Sequence, residues 1–148
     1  MSRPHACYKM LDGYAMSKAA AARTRPLSPH MQIYRWPVTM AMSILHRATG
    51  IALYFGTILV VWWLLAAATS ESAFAFINGF LGSWFGVLIL FGYTWVLLHH
   101  MVGGIRHFIW DTGHGLRKDI ASKAAWANIA ISISLTVLFW IVALVLRA

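Results

Sequence analysis

Two residue classes are nearly absent from this chain: it has one cysteine, Cys7, and only four acidic residues among 148. A single cysteine excludes an internal disulfide, an iron–sulfur cluster ligated by this chain alone, and a C-x-x-C-H site for covalent haem. Charged residues of both signs reach only 11%, against 60% hydrophobic residues and eight tryptophans, which excludes an ordinary soluble domain. An internal repeat, a glycine-rich phosphate loop and a soluble domain are missing as well. Residues 1–22 lack the apolar core of a cleavable signal and contain Asp12.

What the chain does have is long uncharged runs. Residues 48–69, 72–105 and 124–146 contain no Asp, Glu, Lys or Arg. A helix needs about 20 apolar residues to cross roughly 30 Å of hydrocarbon, so the pattern predicts an all-α membrane protein with three transmembrane helices, near 39–69, 83–110 and 124–147. The middle run exceeds one span, and Asn78, Gly79 and Gly82 predict a loop and an interfacial turn over 72–82. The net charge of +8 does not read as a nucleic-acid surface, because the basic residues flank the spans instead of forming a stripe among aromatics. Arg23, Arg25 and Arg35 precede the first span, and Arg117, Lys118 and Lys123 separate the second from the third. The first connection carries only Glu71. The positive-inside rule then puts the N-terminus and the second connection on the cytoplasmic side, or the matrix side of an organelle, with Arg147 as an exception. Residues 1–24 read as a poorly ordered tail, with Met16 as an alternative start, and 25–148 as the membrane domain. So small a chain, almost entirely in lipid, is expected to work within a larger helical bundle made with other subunits.

Against this apolar background, "HHMVGGIRHFIWD" (residues 99–111) is anomalous. At 1.5 Å per residue His100 lies ~16 Å before Asp111, well inside the membrane. Separations of seven and eleven residues bring His100, His107 and Asp111 onto one face, with Gly104 one turn from His100. Gly103 and Gly104 allow a second helix, or a flat cofactor, to approach the backbone. The first span carries a matching group in "SILHRATG", where Ser43, His46 and Arg47 are spaced i, i+3 and i+4. Thr69 lies ~33 Å of helix beyond Arg47, which puts Arg47 at the same membrane edge. An ionisable residue at the bilayer centre costs ~2.5 to 3.5 kcal/mol even on lenient insertion scales, so two converging clusters point to a site inside the bundle.

Plainer roles exist for each residue. His99 reads as a packing residue, and His30 and His114 as solvated loop residues. Arg106 is long enough to snorkel to the headgroups, Asp111 is placed to pair with Arg106 or Arg117, and Ser43 can bond back to its own helix. Trp62, Trp63, Trp95, Trp110 and Trp126 read as belt or packing residues. His100 stands apart because it combines depth, neighbouring glycines and further polar groups on its face.

Taken together, "RPLSPHMQIY", "SILHRATG" and "HHMVGGIRHFIWDTG", in this order across three spans, resemble the cytochrome b anchor subunits of succinate dehydrogenase, respiratory complex II. The resemblance covers residues 25–148 and implies a haem b shared with a second membrane anchor subunit. In the motif H-x-x-x-G-I-R-H it makes His100 an axial ligand of the haem iron. It places Ser43 and Arg47 at a ubiquinone site beside an iron–sulfur subunit, and His46 and Arg47 near the haem propionates. It also implies a flavoprotein subunit that oxidises succinate, so electrons would enter the quinone pool through an assembly in which this chain has no succinate chemistry of its own.

The residues are chemically suited to such a role. Haem is a flat apolar disc with two anionic propionates, and His100, the Gly103–Gly104 pair and Arg47 supply a deep ligand, clearance and a cation. Quinone reduction needs donors that stabilise developing negative charge near water, as Ser43 and Arg47 would. His107, Arg106 and Asp111 are supporting candidates. A two-haem cytochrome would require about four deep histidines, and a transporter would be expected to show an inverted repeat. The serious alternative is a haem-free anchor of a related quinol:fumarate reductase. With no transit peptide evident, a bacterial inner membrane is expected in preference to a mitochondrial one.

Overall fold

The computed structural model describes residues 34–147. Cys7, His30, Asp12, the 1–24 tail and most of the 25–34 motif lie outside the described residues. The described chain is four α-helices: α1 Val38–Thr69, α2 Glu71–Gly82, α3 Trp84–Asp111 and α4 Lys118–Arg147. Three of them, α1, α3 and α4, are long and apolar enough to cross a membrane, so the protein is an all-α membrane protein with three spanning helices.

α1 starts directly after Pro37, whose carbonyl accepts from the amides of Met40 and Ala41. A proline suits this boundary because it has no amide hydrogen to satisfy. Two serines then cut the following apolar sequence. Ser70 is extended (φ −159°, ψ 148°), ends α1, and caps α2 by accepting from the Ala73 amide at 3.2 Å. Ser83 does the same for α3, accepting from the Gly86 amide at 3.2 Å while donating to Phe80 O at 2.6 Å. A β-carbon on Gly86 would collide with the backbone of Phe80 and Leu81, so only glycine lets α3 turn so closely against the end of α2.

The loop expected over 72–82 is therefore a twelve-residue helix. Serine caps at both ends and Glu71 in the first turn favour the helix. The turn-forming residues do not break it: Asn78 accepts a hydrogen bond from Trp63 Nε1 at 3.1 Å, and Gly82 is its last residue. At the other end of the bundle, Gly113 (φ 81°) and Gly115 (φ 74°) adopt the left-handed conformation that ends α3. α4 then begins at Lys118, ahead of its uncharged run, because Lys118–Lys123 continue the same helix as a charged first turn and a half.

The interior is sparse and polar. Among the described residues the buried apolar ones are Met42, Ala66, Ile77 and Ala125, whereas Thr49, His99, Arg106, Asn128, Ser132 and Thr136 are buried polar residues. Large hydrophobic side chains on all three spans point outwards. Such an inversion fits lipid as the solvent, where exposing Leu or Phe is favourable and helices associate through small residues and hydrogen bonds. α1 packs on α2, α3 and α4, and α3 packs on both α2 and α4.

Candidate functional site

The site is built where α1 and α3 cross, towards the end of the bundle that carries Arg117, Lys118 and Lys123. His46 from α1 and His100 from α3 stack face to face, with ring centroids 4.0 Å apart and planes inclined by 6°. His107, two turns further along α3, lies 5.1 Å from the His46 ring, so the expected shared face of His100 and His107 is the face turned to α1. Trp110 closes the group edge-on against His107, also at 5.1 Å.

Two glycines make the stacking possible. A β-carbon on Gly103 would come within 2.6 Å of His46 Nδ1, and one on Gly50 within 3.1 Å of His100 Cε1. Each helix thus offers a glycine to the imidazole of the other. Gly104 behaves differently: a β-carbon there would meet nothing within 4 Å. The glycine pair therefore divides its work, Gly103 admitting a helix and Gly104 leaving an open surface one turn from His100.

The orientation of His100 is fixed from α1. Its Nδ1 lies 3.1 Å from His46 O and 3.2 Å from Thr49 Oγ1, and the Thr49 hydroxyl donates to the same carbonyl at 2.9 Å. A carbonyl can only accept, so Nδ1 is the donor, and in the neutral ring Nε2 is the nitrogen that carries the lone pair. No hydrogen bond engages Nε2 among the described residues. This is the form in which histidine binds a metal, with its second nitrogen oriented by a backbone carbonyl. Among the described residues no group of three His, Cys, Asp or Glu is placed to hold a metal ion, so a metal at Nε2 would take its other ligands from outside that set.

Ser43 is half-buried and Arg47 exposed, one turn and less from His46 on α1. Ser43 makes no hydrogen bond among the described residues, so its hydroxyl is not used in bonding back to α1. Asp111 is exposed and unpaired among the described residues, because Arg117 pairs instead with Asp119 at 3.4 Å. The ion pair considered for Asp111 is thus not formed: Arg117 and Asp119 are near neighbours at the start of α4 and reach each other without crossing to α3. Arg106 does not snorkel. It is only 6% exposed, its guanidinium carbon 4.8 Å from the centre of the Trp110 ring, with Nε and Nη1 buried and unbonded among the described residues. It lies on the part of α3 turned to the other helices, where an aromatic face is the available partner for a cation. His114 is exposed in the α3–α4 connection, where its ring bonds Thr112 at 3.0 Å.

Gly50 and three polar contributors escaped the sequence reading. Thr49 is fully packed against His100, and it lies three residues after His46, hence on the same face. Asn128 and Ser132 are buried on α4 against His99. Their signal was a polar stripe, Asn128, Ser132 and Thr136 at intervals of four, within a run whose one other polar residue over that length is Ser134.

The sequence model of the succinate dehydrogenase/fumarate reductase transmembrane subunit family matches residues 21–139. The succinate dehydrogenase cytochrome b556 subunit of Paracoccus denitrificans is 48% identical over 118 residues, covering 80% of this chain and 91% of that protein. That of Rickettsia felis is 35% identical over 117 residues, covering 79% and 91%. The mitochondrial cytochrome b560 subunit of Sus scrofa is 47% identical over 94 residues, covering 62% and 56%. With the three spans and the His46–His100 crossing in place, a match of this extent settles the lineage: the chain belongs to the succinate dehydrogenase/fumarate reductase transmembrane subunit family.

Proposed function

We propose that this chain is the cytochrome b membrane anchor of a succinate:ubiquinone oxidoreductase, sharing a haem b with a second membrane subunit and forming part of the ubiquinone-reduction site. The observation that carries the reading is the state of His100: proton on Nδ1, Nε2 open, ring held by α1 deep in the span. The residues fit the group. Nε2 of His100 would ligate the iron, the open surface at Gly104 would accept the edge of a flat ring, and His46 and Arg47 would serve the propionates. When bound, haem supplies a one-electron redox centre beside the quinone site.

The chain's own work is binding and proton placement. Ser43 and Arg47 sit near the basic end of α1, where quinone carbonyls would meet one hydroxyl and one guanidinium. As negative charge develops on a carbonyl oxygen, the Arg47 N–H groups and the Ser43 hydroxyl stabilise it, at the membrane edge where water would supply the protons. Partner subunits holding flavin and iron–sulfur clusters oxidise succinate and feed the site. The basic end, with Arg117, Lys118 and Lys123, faces the cytoplasm of a bacterium, and the Glu71 end faces outwards.

The test is a dithionite-reduced minus oxidised optical spectrum of the purified complex, wild type beside His100→Leu. A b-type signal in the first, lost in an assembled second, supports the ligand assignment. An assembled wild type without the signal removes the haem claim and leaves the haem-free anchor of a quinol:fumarate reductase as the better reading.

A further inference from the structure

Next to His100 on α3 stands a second deep histidine that the proposed function does not use. His99 is completely buried. Consecutive residues on a helix point about 100° apart, so His99 and His100 face different neighbours. His100 turns to α1, and His99 turns to α4. There its Nδ1 accepts from Asn128 Nδ2 at 3.3 Å and lies 3.1 Å from Ser132 Oγ. Trp95, one turn earlier on α3, covers the His99 ring at 5.1 Å between centroids.

Asn128 and Ser132 are one turn apart on α4 and are 2% and 0% exposed. The one hydrogen of the Ser132 hydroxyl has two acceptors in reach, Nδ1 of His99 at 3.1 Å and Ile129 O of its own helix at 3.0 Å. The contact is a buried polar socket on α4 that receives one ring from α3, with His99 Nε2 and Asn128 Oδ1 left unbonded among the described residues. Two adjacent imidazoles, each hydrogen-bonded to a different helix, restrain the rotation of α3 about its axis at the level of His100. The two bonds leave α3 in directions about 100° apart at one level of the helix, and they act beside the glycine contacts that bring α3 against α1. The direction of the His100 Nε2 lone pair follows from that rotation.

We infer that His99 is a positioning residue for the site at His100, acting through Asn128 and Ser132 to set the angle at which α3 presents His100. The inference rests on the proposed haem ligation by His100, and it adds a role for a residue outside that site. How a histidine ligand is turned about its bond to the iron governs the low-spin EPR spectrum, and the hydrogen bonding that holds the ring tunes the midpoint potential. These quantities respond to a small rotation that leaves assembly untouched.

The experiment compares the purified complex as wild type, His99→Leu, His99→Asn, Ser132→Ala and His100→Leu. Subunit content, optical spectrum, low-temperature EPR and a haem redox titration are recorded for each. Asparagine places an amide atom where Nδ1 of histidine stands, so it can keep a bond to the α4 socket, whereas leucine cannot. The expected result is a displaced EPR g-maximum and midpoint potential in His99→Leu, a smaller displacement of the same sign in Ser132→Ala, and return towards wild type in His99→Asn. If an assembled His99→Leu complex matches wild type in both EPR and potential, the inference is overturned. If His99→Leu does not assemble, Ser132→Ala decides: a displacement supports the inference and wild-type values overturn it. Retention of the b-type signal in His100→Leu would instead defeat the ligand assignment, an outcome distinct from failure of the His99 inference.

Discussion

The α1–α3 crossing uses one device twice, with opposite consequences at its two ends. Towards the basic end, Gly103 and Gly50 receive the imidazoles of His46 and His100. Towards the Glu71 end, Gly56 receives the phenol ring of Tyr93, which a β-carbon at residue 56 would overlap. In both places a ring from one helix lies on a glycine of the other. At the Tyr93 end the ring fills space, beside a cavity of about 230 Å³ whose walls include Leu59, Val60, Trp63 and Leu90. At the histidine end the rings carry nitrogens, Thr49 and a backbone carbonyl orient one of them, and one lone pair stays open. Close packing through glycine is thus a general means of association here, and the aromatic residue chosen decides whether the contact can also do chemistry.

The largest effect that would break this contrast comes from the histidine end. His100→Leu keeps similar bulk without a ligating nitrogen and is expected to abolish the b-type optical signal in an assembled complex, while Tyr93→Phe at the other end leaves it unchanged. An intact signal in His100→Leu would mean that the histidine stack is only packing. Next comes Arg47→Ala, for which ubiquinone reduction is expected to fall on the order of 10²-fold, by analogy with loss of one donor to a developing oxyanion. Succinate oxidation measured with an artificial dye should stay largely intact, and equal loss of both activities would indicate failed assembly.

Smaller effects test the glycines. Gly56→Ala and Gly103→Ala both force a methyl group into an occupied ring and are expected to destabilise the bundle by ~1 to 3 kcal/mol, read as earlier thermal loss of the complex. The two should differ in the spectrum: Gly103→Ala displaces His46 from the stack and alters the haem signal, whereas Gly56→Ala leaves its shape alone. Identical spectra in the two variants would erase the distinction between the ends. Least of all, Gly104→Ala has room for its methyl group and gains helix propensity, so its own contribution to stability is expected to stay within about 1 kcal/mol of wild type. Reduced haem retention in that variant would mark the Gly104 surface as one the ring occupies, and unchanged retention would move the ring elsewhere.

Much of this was legible in the residues. Uncharged runs announced the spans because a bilayer permits few charges along a helix, and that constraint acts residue by residue. The i, i+3, i+4 and i, i+7 spacings put His46 beside Arg47, and His100 in line with His107, because helical geometry converts sequence separation into angle. The stretch 72–82 was misread for an equally local reason: Asn78, Gly79 and Gly82 are turn-formers, and the decisive signals were the serines outside the segment, Ser70 and Ser83.

By itself, then, the sequence determined the medium, the number of spans, the end of the bundle that holds the polar groups, and the helix face on which each one lies. Only the tertiary structure decided which helix each face meets. Two adjacent histidines are chemically alike in the sequence, and packing alone separates them, giving His99 to the α4 socket and His100 to the α1 carbonyl. Likewise Arg106 is long enough to reach the headgroups, and the position of Trp110 and the neighbouring helices buries it instead. The physical reason is that covalent geometry fixes where a side chain points relative to its own helix, whereas the rotation and approach of neighbouring helices are set by contacts distant in sequence.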